Sequence, residues 1–173
     1  MGSNFKISAV LVLITKNLND GNLILTRRSK KLKRHGGEIS FPGGVKDSAD
    51  YDLRETALRE TFEEINVKKD RIDIIARLPD TSTSTGYLIR PYVAILETPY
   101  TFGINYSEVS DIVEIPMSTL REGHCDRNET VLLKNNSLVK RPLYVYEGNV
   151  VYGATARIMT NLLTTIKIDY KEK

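Results

Sequence analysis

Three glutamates and an arginine lie close together near the middle of the 173-residue chain. Glu60 follows Arg59 directly, and Glu63 and Glu64 come one helical turn later. If residues 52–65 form a helix, Glu64 lies about 40° from Glu60 around the axis and Glu63 about 60° to the other side. Carboxylates that share one arc bind hard divalent cations such as Mg2+ or Mn2+, or simply face solvent. The spacing alone leaves both interpretations open.

The same helix needs an apolar face that anchors it in the core. Leu58, Phe62 and Ile65 fall on the side away from the glutamates, so we expect them to be buried, with Thr61 on the flank. Histidines and cysteines do not cluster in this part of the sequence, which argues against zinc. The helix is therefore predicted to have one buried face and one anionic face.

A glycine pair precedes the helix in the run "FPGG". Pro42 fixes one backbone dihedral, whereas Gly43 and Gly44 have no side chains to keep a metal ion or a phosphate away. A glycine carbonyl at this point, that of Gly43, is a candidate oxygen ligand. Because Arg-Glu-x-x-Glu-Glu follows at a fixed interval, the metal interpretation is favoured over a solvated acidic face.

The net charge is only +3, but the charges are distributed unevenly along the chain. Six of the eight residues 27–34 are Lys or Arg, and the acidic segment 44–67 follows them. A basic block beside an acidic segment indicates a polyanion held against a metal site, with a solvated basic loop as the alternative.

The cysteine count and the hydropathy of the sequence indicate which cellular compartment suits the protein. Cys125 is the only cysteine, so an internal disulfide is impossible, which suits a reducing environment. The apolar run "ISAVLVLI" is too short for a membrane span, lacks a basic leader, and reads as a buried strand. We therefore expect a cytoplasmic protein without a membrane partner.

The order of the elements predicts the fold class. Helical patterns cover about 52–65 and 153–166, a short helix is expected after "EIP" with Ser118 as N-cap, and 121–140 reads as a polar excursion without a core. Strand-like runs are "KISAVLVLI", "NLILTRR", "IDIIARLPD", "RPYVAILET", "VSDIVEIPM" and "LVKRPLYVYEG". Because strands and helices do not alternate strictly, we expect an α/β (α+β) sandwich with a mixed sheet, as a single domain over residues 1–173.

The segment from Gly44 to Val67, with "RETFEEINV" as its core, resembles the signature of the Nudix hydrolases. The resemblance implies an α/β/α sandwich and a Mg2+- or Mn2+-dependent hydrolase of diphosphates linked to another group. The chain departs from the signature at four points: Asp50 replaces a glutamate, one extra residue precedes Arg59, Thr61 replaces an apolar residue, and Asn66 replaces a glycine. Asparagine tolerates the left-handed conformation that ends helices, so the last change is mild.

The extra residue before Arg59 resembles a feature of one branch of that family, the coenzyme A pyrophosphatases. The branch's upstream signature resembles "ILTRRS", Lys33, Gly37 and "FPGG" here, with conservative changes at Ile24, Lys33 and Ile39. Further similarity extends over most of residues 7–166. This resemblance implies hydrolysis of the pyrophosphate bond of coenzyme A or its derivatives, giving phosphopantetheine (or its acyl form) and adenosine 3′,5′-bisphosphate.

Three sets of site residues follow from the motifs and the resemblance. The metal ligands are expected to be Glu60, Glu63, Glu64 and Gly43. The catalytic set is Arg59, Glu60, Glu63, Glu64 and, from a loop before a strand, Glu108. The substrate-binding set is Arg27, Arg28, Lys33, Arg34, Gly37, Phe41, Gly43 and Gly44. The general base stays open between Glu63, Glu64 and Glu108.

Other functions remain as alternatives at this point. The same chemistry could act on ADP-ribose, a nucleoside triphosphate or a dinucleoside polyphosphate. A non-catalytic module that binds nucleotides or RNA is a third reading, but it would have no need of all three glutamates. We expect a small-molecule partner rather than a nucleic acid, and the sheet edges and C-terminal helix are plausible surfaces for a homodimer.

Overall fold

A computed structural model describes residues 5–16, 20–32, 35–133 and 135–171, and these residues form eleven strands and three α-helices. The strands are β1 (Lys6–Thr15), β2 (Asn22–Arg28), β3 (Ile39–Ser40), β4 (Gly43–Val45), β5 (Ile72–Arg77), β6 (Thr81–Ser82), β7 (Tyr87–Leu96), β8 (Val109–Pro116), β9 (Asp126–Leu132), β10 (Leu138–Tyr146) and β11 (Asn149–Val151). The helices are α1 (Leu53–Ile65), α2 (Met117–Arg121) and α3 (Gly153–Lys171). All six predicted strands and both predicted long helices are confirmed.

The larger sheet is mixed, and its register brings the glycine pair to the middle of the sheet. The strand order is β3–β2–β1–β7–β5, with β4 paired to β1, β6 to β7 and β8 to β2. β1 and β7 run parallel, whereas the other pairs in this sheet are antiparallel. Because β3 pairs with β2 while β4 pairs with β1, residues 39–45 lie between these two strands where they separate.

The larger sheet separates two apolar cores. Leu11 and Leu13 of β1 face α1, whereas Val12 faces α3, as the alternation of a strand requires. The core on the α3 side also includes α2 and the small antiparallel sheet β11–β10–β9. Each fully buried leucine contributes about 2 kcal/mol to stability. The predicted sandwich of a mixed sheet between helical layers is therefore confirmed, and the small sheet is an addition to the α3 layer.

Helix α1 has a polar cap at each end. Asp52 Oδ1 accepts hydrogen bonds from the backbone N–H groups of Arg54 (2.8 Å) and Glu55 (2.9 Å), which satisfies two donors of the first turn. Asn66 ends the helix with φ 57° and donates its N–H to the carbonyl of Phe62. The prediction that Asn66 takes the left-handed conformation is confirmed.

The inward face of α1 differs from the prediction. Ile65 is fully buried as expected, but Phe62 is 47% exposed and Thr61 is 0% exposed. The Thr61 hydroxyl donates to the carbonyl of Ala57 at 2.7 Å, which satisfies it without water. The small side chains of Ala57 and Thr61 face the sheet, and the buried arc is turned so that it also contains Glu64. The prediction that Phe62 anchors the helix is therefore wrong.

One prediction about the second half of the chain is wrong, and one strand was not predicted. Ser118 is not the N-cap of α2; its N–H instead donates to Asp20 Oδ2 at 2.8 Å, so the β1–β2 connection caps this helix. The polar segment 121–140 contains the strand that was not predicted, β9, which pairs with β10. Most of β9 is exposed on both faces, so its sequence lacks an apolar pattern. The sequence "NDG" at 19–21 predicts a hairpin turn between β1 and β2, and its first residue, Asn19, lies outside the described residues.

Over the described part of the chain, no helix combines the length and the apolarity that crossing a bilayer requires.

Candidate active site

A buried ion pair fixes the arginine that precedes the acidic cluster. Asp50 is 5% exposed, and its two oxygens accept hydrogen bonds from Arg59 Nε (2.8 Å) and Nη2 (3.0 Å). The Thr56 hydroxyl and the Asp47 N–H also donate to Asp50. These bonds, that of Arg59 first, hold the pKa of the Asp50 carboxyl well below its usual range. Asp50 thus stays ionised and leaves only one end of the guanidinium free.

The free end of Arg59 faces the glutamates of α1. Its Nη1 donates to Glu60 Oε1 at 2.9 Å and to Glu63 Oε2 at 3.1 Å. The three carboxylates differ in burial: Glu64 is 3% exposed, the side chain of Glu60 is 17% exposed, and that of Glu63 is 47% exposed. The cluster therefore extends from the core to the surface, with Arg59 neutralising its outer part.

Glu64 is the least compensated of the three carboxylates. Its Oε2 atom is buried and has no hydrogen-bond partner among the described residues. Burial raises the pKa of Glu64 to about 8. The Arg28 guanidinium and the hydrogen bond from the Gly43 N–H counter part of this rise, whereas the charges of Glu60 and Glu108 add to it. Burial also raises the pKa of Glu60, against the hydrogen bond from Arg59. Burial therefore favours the neutral form of both carboxyl groups when no cation is present.

Both glycines of the "FPGG" run lie against these carboxylates. A Cβ atom at Gly44 would overlap the carboxylate of Glu60, so only glycine leaves room for that side chain. Gly43 has φ 149°, and a Cβ atom there would overlap the backbone of β1 at Ala9. The pairing of β4 with β1 thus places the glycine backbone directly beside α1.

Glu108 approaches the cluster from the loop before β8. Its carbonyl accepts a hydrogen bond from the Ser29 N–H at 2.7 Å, which ties the loop to the end of β2. Its charge raises the pKa of both Glu60 and Glu64, so the carboxylate lies near them. The structure therefore brings a carboxylate that is remote in sequence close enough to influence Glu60 and Glu64.

Arg27 and Arg28 point in different directions. Arg28 lies beside Glu64, and its Nε is buried without a hydrogen-bond partner in the described ranges. Arg27 Nη2 instead donates to Asn149 Oδ1 in β11, within the small sheet. Successive side chains of a strand alternate between faces, so adjacent arginines of β2 diverge. Only Arg28 of this pair lies at the carboxylates.

Four predicted substrate-binding residues remain: Lys33, Arg34, Gly37 and Phe41. The Phe41 side chain is 2% exposed and packs in the core on the α3 side, so the prediction that it contacts substrate is wrong. Gly37 has φ 84° and donates its N–H to the Arg28 carbonyl, which closes the loop that follows β2. Lys33 and Arg34 lie outside the described residues.

A divalent cation fits the donor set, although its ligands are not assembled. In the ranges that the structure describes, no three His, Cys, Asp or Glu side chains form a ready metal-binding group. Glu63 is turned toward Arg59 rather than toward Glu64. The unpartnered oxygen of Glu64, with Glu60 and Glu108 beside it, nevertheless offers the hard oxygen donors that Mg2+ and Mn2+ prefer.

Comparisons with known proteins identify related sequences and structures. Residues 6–132 match the model of the NUDIX domain. A protein of Photorhabdus laumondii named "Uncharacterized Nudix hydrolase NudL" is 32% identical over 149 residues, covering 84% of this chain and 78% of the relative. Proteins of the same name from Citrobacter koseri (32% over 166 residues, 95% of this chain and 85% of the relative) and Klebsiella pneumoniae (34% over 164 residues, 94% and 84%) are also similar.

Solved structures show the same fold at low identity. A Caenorhabditis elegans Ap4A hydrolase in a binary complex superposes with TM-score 0.56 and 20% identity, covering 66% of this chain and 83% of that one. A MutT/nudix family protein from Enterococcus faecalis gives TM-score 0.60 and 12% identity over 96% of this chain and 64% of that one. The Shewanella oneidensis NrtR domain complexed with ADP ribose gives 0.51 and 22% over 68% and 77%.

Proposed function

The chain belongs to the Nudix hydrolase family, whose members act on nucleoside diphosphate derivatives, and we propose that its substrate is coenzyme A or one of its derivatives. The products would be phosphopantetheine, or its acyl form, and adenosine 3′,5′-bisphosphate. Enzymes of this family generally use divalent cations, and we propose Mg2+ or Mn2+ here.

One observation carries the catalytic part of the proposal. Glu64 holds a carboxyl oxygen that is buried and unpartnered within the described residues, and the charges of Glu60, Glu108 and Arg28 all influence its pKa. A carboxyl group buried in this way holds its proton when no counter-charge is present, and a divalent cation that displaces the proton would compensate its charge. A solvated acidic face would not place its central carboxylate at 3% exposure.

Glu60 and Glu64 would hold the cation, with Glu63 joining them if it leaves Arg59. The Gly43 carbonyl, predicted as a fourth ligand, belongs to a backbone that already lies beside Glu64. When bound, a divalent cation neutralises the charge of a diphosphate and makes a water molecule more acidic. Arg59 keeps Glu60 in place from one side, and Gly44 leaves room for it from the other.

The chain's own residues supply the remaining chemistry. We assign Glu108 as the general base that accepts a proton from the attacking water, because it lies near the cluster and is not paired with Arg59. The water oxygen bonds to one phosphorus, and the bridging P–O bond breaks to release the other phosphate. Arg28, whose Nε has no partner in the described residues, is placed to oppose the charge on a phosphoryl oxygen.

The choice of coenzyme A rests on the upstream signature. That signature runs through β2, the following loop, β3 and β4, and its two described ends, Arg28 and the glycine pair, both reach the carboxylates. We also propose that residues 1–173 form one domain, since α3 and the small sheet share a core with β1 and β2. Location in the cytoplasm and a homodimer stay predictions from the sequence.

A substrate screen tests the proposal. The protein is incubated with Mg2+ and coenzyme A, acetyl-coenzyme A, ADP-ribose, dATP or diadenosine tetraphosphate, and the products are identified by mass. We expect the coenzyme A compounds to be cleaved with the highest kcat/KM. Glu64→Gln should lower kcat by at least about 10²-fold with Tm close to the wild type. Glu55→Gln, on the same helix but exposed, should keep full activity.

Two results would contradict different parts of the proposal. Preference for ADP-ribose or another compound would refute the coenzyme A assignment and leave the metal-dependent chemistry intact. Equal activity of Glu64→Gln and the wild type would refute the assignment of the site itself.

A further inference from the structure

The loop between β7 and β8 contains an asparagine that contacts both α1 and the proposed base. The Asn105 N–H donates to the Glu64 carbonyl at 2.9 Å, at the end of the helix that bears the acidic cluster. Its own carbonyl accepts the N–H groups of Glu108 (3.0 Å) and Val109 (2.9 Å). One residue thus joins the last turn of α1 to the backbone of Glu108.

The orientation of the Asn105 side-chain amide follows from its neighbours. Its Oδ1 atom accepts the Ser107 N–H (3.2 Å) and the Ser107 hydroxyl (2.6 Å). Because a backbone N–H can only donate, the atom that faces it must be the amide oxygen. The Nδ2 group must therefore point the other way, and there it donates to Glu108 Oε1 at 3.3 Å.

A second turn of the same kind shows that such a turn forms without this extra contact. In the connection between β9 and β10, Asn135 Oδ1 accepts the Ser137 N–H (3.2 Å) and the Ser137 hydroxyl (2.7 Å). The two Asn-x-Ser turns have matching oxygen contacts, so the turn itself does not need a carboxylate beside the amide nitrogen. The Asn105–Glu108 bond is an additional feature of the loop at the site.

We propose that Asn105 is a positioning residue that aims the Glu108 carboxylate at the acidic cluster of α1. The proposal rests on the function of Glu108 proposed above. Asn105 fixes the Glu108 backbone through its carbonyl and restricts the side chain through its amide, while its N–H ties both to the end of α1. Without these hydrogen bonds the Glu108 side chain would be free to rotate toward solvent.

Kinetics of single and double variants test this role. Asn105→Asp keeps the oxygen that faces Ser107 but replaces the donor to Glu108 by a negative oxygen. We expect kcat for coenzyme A to fall about tenfold with KM changed less than about twofold. Glu108→Ala should lower kcat by about 10²-fold, and Asn105→Asp should lower it no further in that background. Asn135→Asp, the matched control, should leave kcat unchanged.

The kinetic outcomes that overturn the proposal are specific. They are an equal loss of kcat from Asn105→Asp with and without the Glu108 side chain, an equal loss of kcat from Asn135→Asp, or full kcat in Glu108→Ala.

An NMR measurement tests the same contact without turnover. In 15N-labelled protein, Glu108→Ala should shift the Asn105 side-chain amide resonances, and unchanged resonances would overturn the positioning role even if no diphosphate were hydrolysed. Failure of the substrate screen alone would refute the proposed function and leave this contact standing.

Discussion

Replacing Gly44 by alanine should separate activity from stability. The new methyl group overlaps the Glu60 carboxylate, which must retreat by about 1 Å to reach ordinary contact distance. That shift disturbs the 2.9 Å bond between Glu60 Oε1 and Arg59 Nη1 and moves a proposed metal ligand. A displacement of about 1 Å in a catalytic constellation costs about 10²-fold in rate. Stability should change by less than about 1 kcal/mol, because the atom that gives way is the end of a flexible side chain.

Gly148→Ala is the matched control. Gly148 has φ 76°, and no atom of the described residues beyond its chain neighbours lies within 4 Å of the place that a Cβ atom would take, so alanine there is strained but not crowded. It should lose about 1 kcal/mol of stability and keep its activity. Thermal unfolding and Mg2+-dependent hydrolysis of coenzyme A are measured for both variants. Activity of Gly44→Ala within about threefold of the wild type, in a folded protein, would refute the placement of Glu60 in the catalytic site.

Three further perturbations have defined outcomes. Asp50→Asn should lower the free energy of unfolding in urea by about 3 kcal/mol, because it leaves the Arg59 guanidinium without its buried counter-charge; a loss below about 1 kcal/mol would contradict this. The hydrogen bond from Arg90 lowers the pKa of Asp80, so the wild type gains stability above the ordinary pKa of 3.8 and loses it as the pH falls through the lowered value. Asp80→Asn should therefore be less stable by about 1–2 kcal/mol at pH 7, and the difference should vanish in acid; a difference independent of pH would oppose this origin. Burial raises the pKa of the Cys125 thiol, so native protein should react with a thiol reagent at least about tenfold more slowly than urea-unfolded protein, and Cys125→Ala should keep full turnover.

Much of the fold was predictable because its long elements have clear patterns. β2 begins and ends where the run "NLILTRR" does, and the apolar run of β1 reflects burial on both faces. β9 was missed because most of its residues are exposed, so alternation gave no signal. β3 and β4 are too short for any pattern to identify them, and their pairing depends on the separation of β1 and β2.

The acidic cluster was predictable from helical spacing, but the orientation of its side chains was not. Helical spacing placed the glutamates on one arc, yet it could not show that the arc turns Glu64 into the core and Phe62 outward, since that depends on how closely α1 approaches the sheet. The role of Asp50 could have been inferred from its shorter side chain and the extra residue before Arg59. The role of Asn105 had no local signal, because its partners belong to α1 and to the turn at Glu108.

The most direct test of a metal-binding carboxylate cluster is anomalous diffraction from crystals soaked in Mn2+. A peak is expected about 2.2 Å from Glu64 Oε2, with Glu60 as a second ligand, and it should be lost in Glu64→Gln. Well-ordered crystals that show no peak beside Glu64, or show the same peak in Glu64→Gln, would contradict the assignment.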